Sequence, residues 1–275
     1  MKDLTARYID SNCLALNNTI SFVGSAVEGE VIVLVNDNSA GNDKIIAASG
    51  INSVRKFEGK RIAVEAEIAD DFVLSLASDQ ENLFGDDVKI IDLGIEAAVE
   101  TFVAGHRLLR SQMTEPIVTI GQIETVGAFA LFWLTALQRY NISEIIFSKA
   151  FAEAIPDLLT VTKKLVYEHS ENVQFLINTR FDIFELMTEQ PTKADRIIVQ
   201  RAEAAREEFR LFPAGTKIFT AQNNLEAFKK GNNIVSMPYA ARKVTHYLRN
   251  SLKSIERKPD LSKIFNNSFI EFYVF

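Results

Sequence analysis

Five cationic or titratable side chains near the C-terminus fall on one line. In ARKVTHYLRNSLKSIERK, Ala241 to Lys258, residues Arg242, His246, Arg249, Lys253 and Arg257 are separated by four, three, four and four positions. At about 100° per residue these share one face of a helix. Val244, Tyr247, Leu248, Leu252 and Ile255 cluster on the other face with Ala241. The pattern predicts an amphipathic helix docked by its apolar stripe, with a cationic ridge outward. Lys243, Lys229, Lys230, Lys258 and Lys263 would widen the patch if they fold beside it. Such a ridge suits a polyanion. It would hold nucleic acid through phosphate contacts, with strong salt dependence and no sequence choice.

Two carboxylates are the candidates for acid–base work. Asp92 ends the strand-like run VKIIDLG, and Asp182 follows VQFLINTR. Acids at strand ends are where α/β proteins place ligand-facing groups. If adjacent strands brought them together, Asp92 and Asp182 could serve a hydrolase or transferase. Magnesium is the cofactor such oxygen ligands would take. Asp86 and Asp87 fall at the opposite end of the same strand and need not converge with them.

Other chemistries lack their residues. Neither GxGxxG nor GxxxxGK[ST] occurs, and no serine lies in GxSxG. His106, His169 and His246 lie far apart and none has a His or Cys at ligand spacing, which argues against zinc. NDNSAGND places Asn36, Asn38 and Gly41 at calcium-loop positions, but Ala40 holds the fifth place and no acid closes the loop. The single cysteine, Cys13, precludes an internal disulfide.

The elements that must position these residues change character along the chain. EVIVLVND, KIIAASGI, RIAVEAEI and DFVLSLAS read as short strands between polar turns. After the polar stretch Ser78–Asp87, strand-like and helix-like segments alternate. PIVTIGQ, SEIIFSKA, NVQFLINTR, TKIFTA and NNIVSMP read as strands. IEAAVETFVAGHRLLRSQ, TVGAFALFWLTALQRY, IPDLLTVTKKLVYEHS and TKADRIIVQRAEAAREEFRLF read as helices. Alternation of this kind predicts βαβ units. The expected fold is mixed α/β. A β-rich portion spans residues 1–86, and residues 87–275 form a mostly parallel sheet with helices on both faces. FIEFYVF at the C-terminus is apolar on both faces and reads as a buried strand or as one that pairs with a partner.

The chain has 275 residues, 47% hydrophobic and 24% charged, as in an ordinary globular protein. Its net charge of −6 is uneven. Residues 1–100 hold 8 basic and 18 acidic residues, and residues 201–275 hold 13 and 7. The N-terminus shows no basic start before a long apolar run, and the longest apolar stretch, Val126–Leu137, is shorter than a membrane span. A cytoplasmic location without membrane contact is expected. The leading functional expectation is a non-enzymatic interaction protein. It would touch nucleic acid or an acidic protein surface through Arg242, Lys243, His246, Arg249, Lys253 and Arg257. A carboxylate- or magnesium-dependent enzyme is the second. The third is a homo-oligomeric structural protein that pairs its acidic and basic ends.

Overall fold

The computed structural model describes residues 9–25, 30–41, 43–47, 51–64, 69–83, 87–93, 117–122, 143–147, 154–202 and 214–275. In chain order its elements begin with β1 (Ser11–Ala15), α1 (Leu16–Ser25), β2 (Glu30–Ser39), β3 (Asp43–Ala47), β4 (Arg61–Val64), α2 (Ala69–Gln80) and β5 (Lys89–Asp92). Next come β6 (Ile117–Gln122), β7 (Ser143–Phe147), β8 (Pro156–Thr162), α3 (Lys163–Glu168), α4 (Ser170–Glu189) and α5 (Pro191–Ala202). The series closes with β9 (Thr216–Ile218), α6 (Ala221–Phe228), α7 (Met237–Asn250) and α8 (Ser268–Val274).

Two compact units share these elements. The first comprises Met1–Asn38, Glu153–Ile198 and Lys217–Phe275; the second comprises Ser39–Ala152 and Val199–Thr216. The polar stretch 78–87, read from composition as a boundary, falls inside the second unit.

The first unit is built on a sheet of order β1-β8-β2-β9. β8 is antiparallel to both β1 and β2. Phe219 N donates to Asn36 O and Ala40 N to Gly215 O, the running order of a further antiparallel pair. The second unit holds a mixed sheet of order β5-β4-β6-β3-β7. There β4 is parallel to β5 and β6, while β3 runs antiparallel to β6 and β7. The mixed α/β class holds, but the mostly parallel sheet does not: the first unit's sheet is antiparallel.

β2 is the spine of the first unit, with Ile32, Val33, Leu34 and Val35 all fully buried. It is buried on both faces, so it reads as a continuous apolar run. One edge pairs with β8 through two irregularities, at Ile32/Leu34 and Val35/Asp37. The other edge is completed by pieces distant in sequence. Ile32 N donates to Ile264 O, and Asn266 N donates to Ile32 O. Three residues further, at Val35, the side chain of Asn224 takes the place of a strand. Its Oδ1 accepts from Val35 N at 2.7 Å, and its Nδ2 donates to Val35 O at 3.0 Å. A buried backbone pair must find partners, and at this bulge an amide side chain supplies them.

Helices cover the sheet. α7 packs on α1 and buries Met237, Ala240, Ala241, Val244, Thr245 and Leu248. That is the apolar stripe expected from its spacing. Several other segments differ from expectation. NVQFLINTR lies within α4, because Val173, Ile177 and Phe181 recur every four residues and form its one buried stripe. The exposed Phe175, Leu176 and Ile183 obscure that period in the sequence. DFVLSLAS belongs to α2, while IPDLLTVT contains β8, whose Thr162 then caps α3 by accepting from Leu165 N. NNIVSMP forms turns and then opens α7 rather than a strand, and FIEFYVF lies in helix α8, which buries only Phe269 and Ile270. The helices expected over 95–112 and 125–140, with His106, lie outside the described residues.

Candidate functional site

The first unit gathers polar side chains where β1 and β2 end and β8 begins. Cys13 lies on edge strand β1, opposite Leu159, and its side chain is exposed. Asn36 Nδ2 donates to Cys13 Sγ at 3.4 Å. Asp37 pairs with Asp157 across β2 and β8. Both carboxylates reach Cys13 electrostatically. Although the residue is exposed, atoms packed around the thiol desolvate it and raise its pKa; Asp157 and Asp37 add to this, against the hydrogen bond from Asn36, which lowers it. A thiol held in the protonated form is a weak nucleophile. It can serve as a contact for a ligand but is not activated for attack.

Arg180 of α4 closes this corner from behind. Nη1 donates to Phe219 O at 2.7 Å, and Nη2 donates to Asn36 O. Its guanidinium also lies over the rings of Phe181 and Phe184, 5.0 and 5.5 Å from their centroids. Burial lowers its pKa to about 10, against the pull of Asp37. It therefore stays charged at neutral pH and fixes the ends of β2 and β9. Asn38, fully buried, accepts from Ile155 N at 3.1 Å and holds the start of β8 in place. In the sequence, Asn36 and Asn38 stand out only as incomplete calcium-loop positions and Cys13 only as a lone cysteine, with the polar run NDNS closing an apolar strand.

The sequence-derived candidates take different places. Asp92 is exposed at the end of β5 in the second unit. Asp182 is exposed within α4 of the first unit and does not end a strand. The strand-end premise for Asp182 is removed by the helix. Arg242, Lys243, His246 and Arg249 lie on α7 and are exposed, as spacing predicts. Lys253 and Arg257 do not continue that helix, which ends at Asn250. Lys253 instead adopts φ 55°, the left-handed conformation that reverses a chain.

Arg242, Thr245, His246, Arg249, Asn250, Lys258 and Leu261 line a cavity of about 180 Å³. Arg242 donates weakly to Gly231 O at 3.4 Å and stands over the ring of Tyr239 at 5.4 Å. The amide of Asn250 lies 2.9 Å from His246 Nδ1. Among the described residues, Arg249 and Lys258 have no ion-pair or hydrogen-bond partner.

No protein-family model and no curated protein matches this sequence. Solved structures do. The alkanesulfonate-binding protein SsuA from Xanthomonas axonopodis pv. citri, bound to MOPS, superposes with TM-score 0.70 at 11% identity over 97% of this chain and 83% of its own. The periplasmic aliphatic sulphonate binding protein SsuA from Escherichia coli gives TM-score 0.71 at 14% identity, covering 97% and 78%. A Candida albicans gene product described as having the generic periplasmic binding protein structural fold gives 0.67 at 10% identity, covering 97% and 82%. The chain is similar to these proteins in fold, the periplasmic binding protein fold.

That likeness overturns the leading expectation from the sequence. Nearly the whole chain follows the shape of proteins that bind small solutes, which points away from nucleic acid or an acidic protein as partner. The cytoplasmic expectation falls with it, since it rested on a default and the solved relatives in shape include periplasmic proteins. The enzyme alternative loses the strand-end placement of Asp182 to α4. The assembly alternative loses its terminal strand to α8. Among the described residues, no helix is long and apolar enough to cross a membrane.

Proposed function

We propose that this chain binds a small polar solute, uncharged or cationic, at the strand-end corner of its first unit, and that it works outside the cytoplasm. The observation that carries the reading is the fold, shared over 97% of the chain with a sulfonate-binding protein. Ligands of α/β proteins collect at the carboxyl ends of strands. The Cys13 thiol on β1, the Asn36 amide and Asp37 carboxylate near the end of β2, and the Asp157 carboxylate at the start of β8 stand here. Asp37 acts electrostatically on the Arg180 guanidinium, whose N–H groups are bound to two carbonyls. An amine, amino alcohol or polyol suits acceptor-rich side chains of this kind better than a sulfonate.

Calorimetric titration of the intact chain with one solute of each class, and with an aliphatic sulfonate, tests it. Saturable binding of an amine or polyol that Asn36→Ala abolishes and Asp157→Asn weakens for the amine alone is expected. Tight sulfonate binding would overturn the charge preference. Binding unaffected by Asn36→Ala would overturn the site.

A further inference from the structure

We infer that the cavity beside α7 is a second site in the first unit, built for a small tetrahedral dianion of the phosphate or sulfate type. This inference is independent of the solute site. Its basis is charge, spacing and volume. Arg242, His246 and Arg249 occupy successive turns of one helix face, and the chain after the helix returns to add Lys258.

The return is specified by backbone geometry. α7 ends with Ser251 N and Leu252 N both donating to Tyr247 O. Lys253 then takes its left-handed conformation, and Ser254 N donates to Leu248 O at 3.0 Å. A left-handed residue with a Cβ costs about 1 kcal/mol. That cost is met by burying Ile255 and by the reversal itself, which lays residues 258–261 against α7. Two arginines, a lysine and a histidine then share one hollow.

Cations brought together repel one another unless something offsets them. Asp260, in the returning segment, does not. Asp260 is bound to Ser262 and to Lys263 at 3.0 Å, and it lies at about pKa 2, held there by the Ser262 hydroxyl first and Lys263 next. Arg249 and Lys258 thus meet the cavity with no carboxylate partner among the described residues. Guanidinium forks and an ammonium group match the oxygens of a tetrahedral oxyanion.

Volume sets the size of the ligand. Pockets for drug-sized molecules run from about 300 Å³ upward. A cavity of about 180 Å³ holds roughly six water volumes at about 30 Å³ each. That is room for an inorganic oxyanion with a few waters.

The test is titration of the full chain with orthophosphate and, separately, sulfate, each against chloride at matched ionic strength. Amide and side-chain NMR shifts of residues 242–261 are the readout. Saturable shifts centred on Arg249 and Lys258, absent with chloride and lost in Arg249→Gln/Lys258→Gln, are expected. Both residues are exposed, so the variant keeps its fold, which circular dichroism verifies. The phosphate and sulfate arms distinguish the two sources of the same chemistry. Shifts that grow linearly with any salt, or that persist unchanged in the folded double variant, would overturn the site.

Discussion

Asn224→Ala removes the side chain that stands in for a strand beside β2. Asn224 and Val35 are both fully buried. The amide makes three hydrogen bonds: one from Val35 N, one to Val35 O, and one to Thr220 O at 3.0 Å. Alanine leaves Val35 N–H and C=O without partners, at about 1–3 kcal/mol for each buried group. The expected loss is about 3–4 kcal/mol, a large part of the 5–15 kcal/mol available to a typical domain. Asn224→Asp supplies a sharper contrast. A carboxylate still accepts from Val35 N, but it cannot donate to Val35 O, and it buries a charge. Burial raises a carboxyl's folded pKa, so the folded state binds its proton more tightly than the unfolded state. Stability of this variant is highest below about pH 4, the unfolded value for Asp, and falls as pH rises above it. Hydrogen exchange of residues 31–38, followed with urea unfolding, reads the first unit directly. Faster exchange at Val35, Asn36 and Asp37 is expected, because the bulge that aims Asn36 and Asp37 is set there. A loss under 1 kcal/mol with Val35 still protected would refute the reasoning and would mean that a water or a neighbour replaces the amide.

Other residues give separate tests. Glu30 is 2% exposed, and burial raises its pKa against a weaker lowering by Thr160, so its contribution to wild-type stability falls as pH rises above about 4.3, the unfolded value. Glu30→Gln therefore raises the melting temperature at pH 7 and has little effect near pH 4; a melting-temperature difference constant across that range would count against a strained carboxylate. The raised pKa of Cys13 predicts alkylation by iodoacetamide slower than that of a free thiol at pH 8, with a pH–rate midpoint above the ordinary 8.5. A midpoint below that value would contradict the influence of Asp37 and Asp157. Arg180→Met deletes two hydrogen bonds to backbone carbonyls, and Arg180→Lys cannot restore both with one ammonium group. Urea unfolding should show a loss of about 2–3 kcal/mol for methionine and a smaller one for lysine; equal stability of all three proteins would remove Arg180 from its clamping role.

Some of this was legible in the sequence because the responsible interactions are local. β2 is a run of β-branched and apolar residues bounded by NDNS, and its four buried core residues follow directly. α7 declares itself by period: Ala241, Val244 and Leu248 face inward, while Arg242, His246 and Arg249 face out. The β4 and β5 runs likewise carried their own signal. Where local preference and final state disagree, the difference came from packing. NVQFLINTR is rich in residues that strands favour, yet helix α4 buries only Val173, Ile177 and Phe181 against the unit and leaves Phe175 and Ile183 exposed. Intrinsic preference of this size is about 1 kcal/mol or less per residue and yields to burial. FIEFYVF yielded in the same way, through the two side chains that α8 buries.

The sequence by itself determined the mixed class of the chain, the apolar spine of β2, and the sidedness of α7, because each depends on the order of apolar and polar residues within one element. Tertiary structure decided the rest. It ran the first unit's strands antiparallel, assembled each unit from separated segments, and set Asn224 against Val35 across 189 residues. It brought Cys13, Asn36 and Asp157 to one corner and turned the chain at Lys253 so that Lys258 faces Arg249. No local pattern encodes these contacts. They exist because buried backbone groups must be paired and apolar faces covered by whatever part of the chain can reach them, and that is settled only when the whole chain folds.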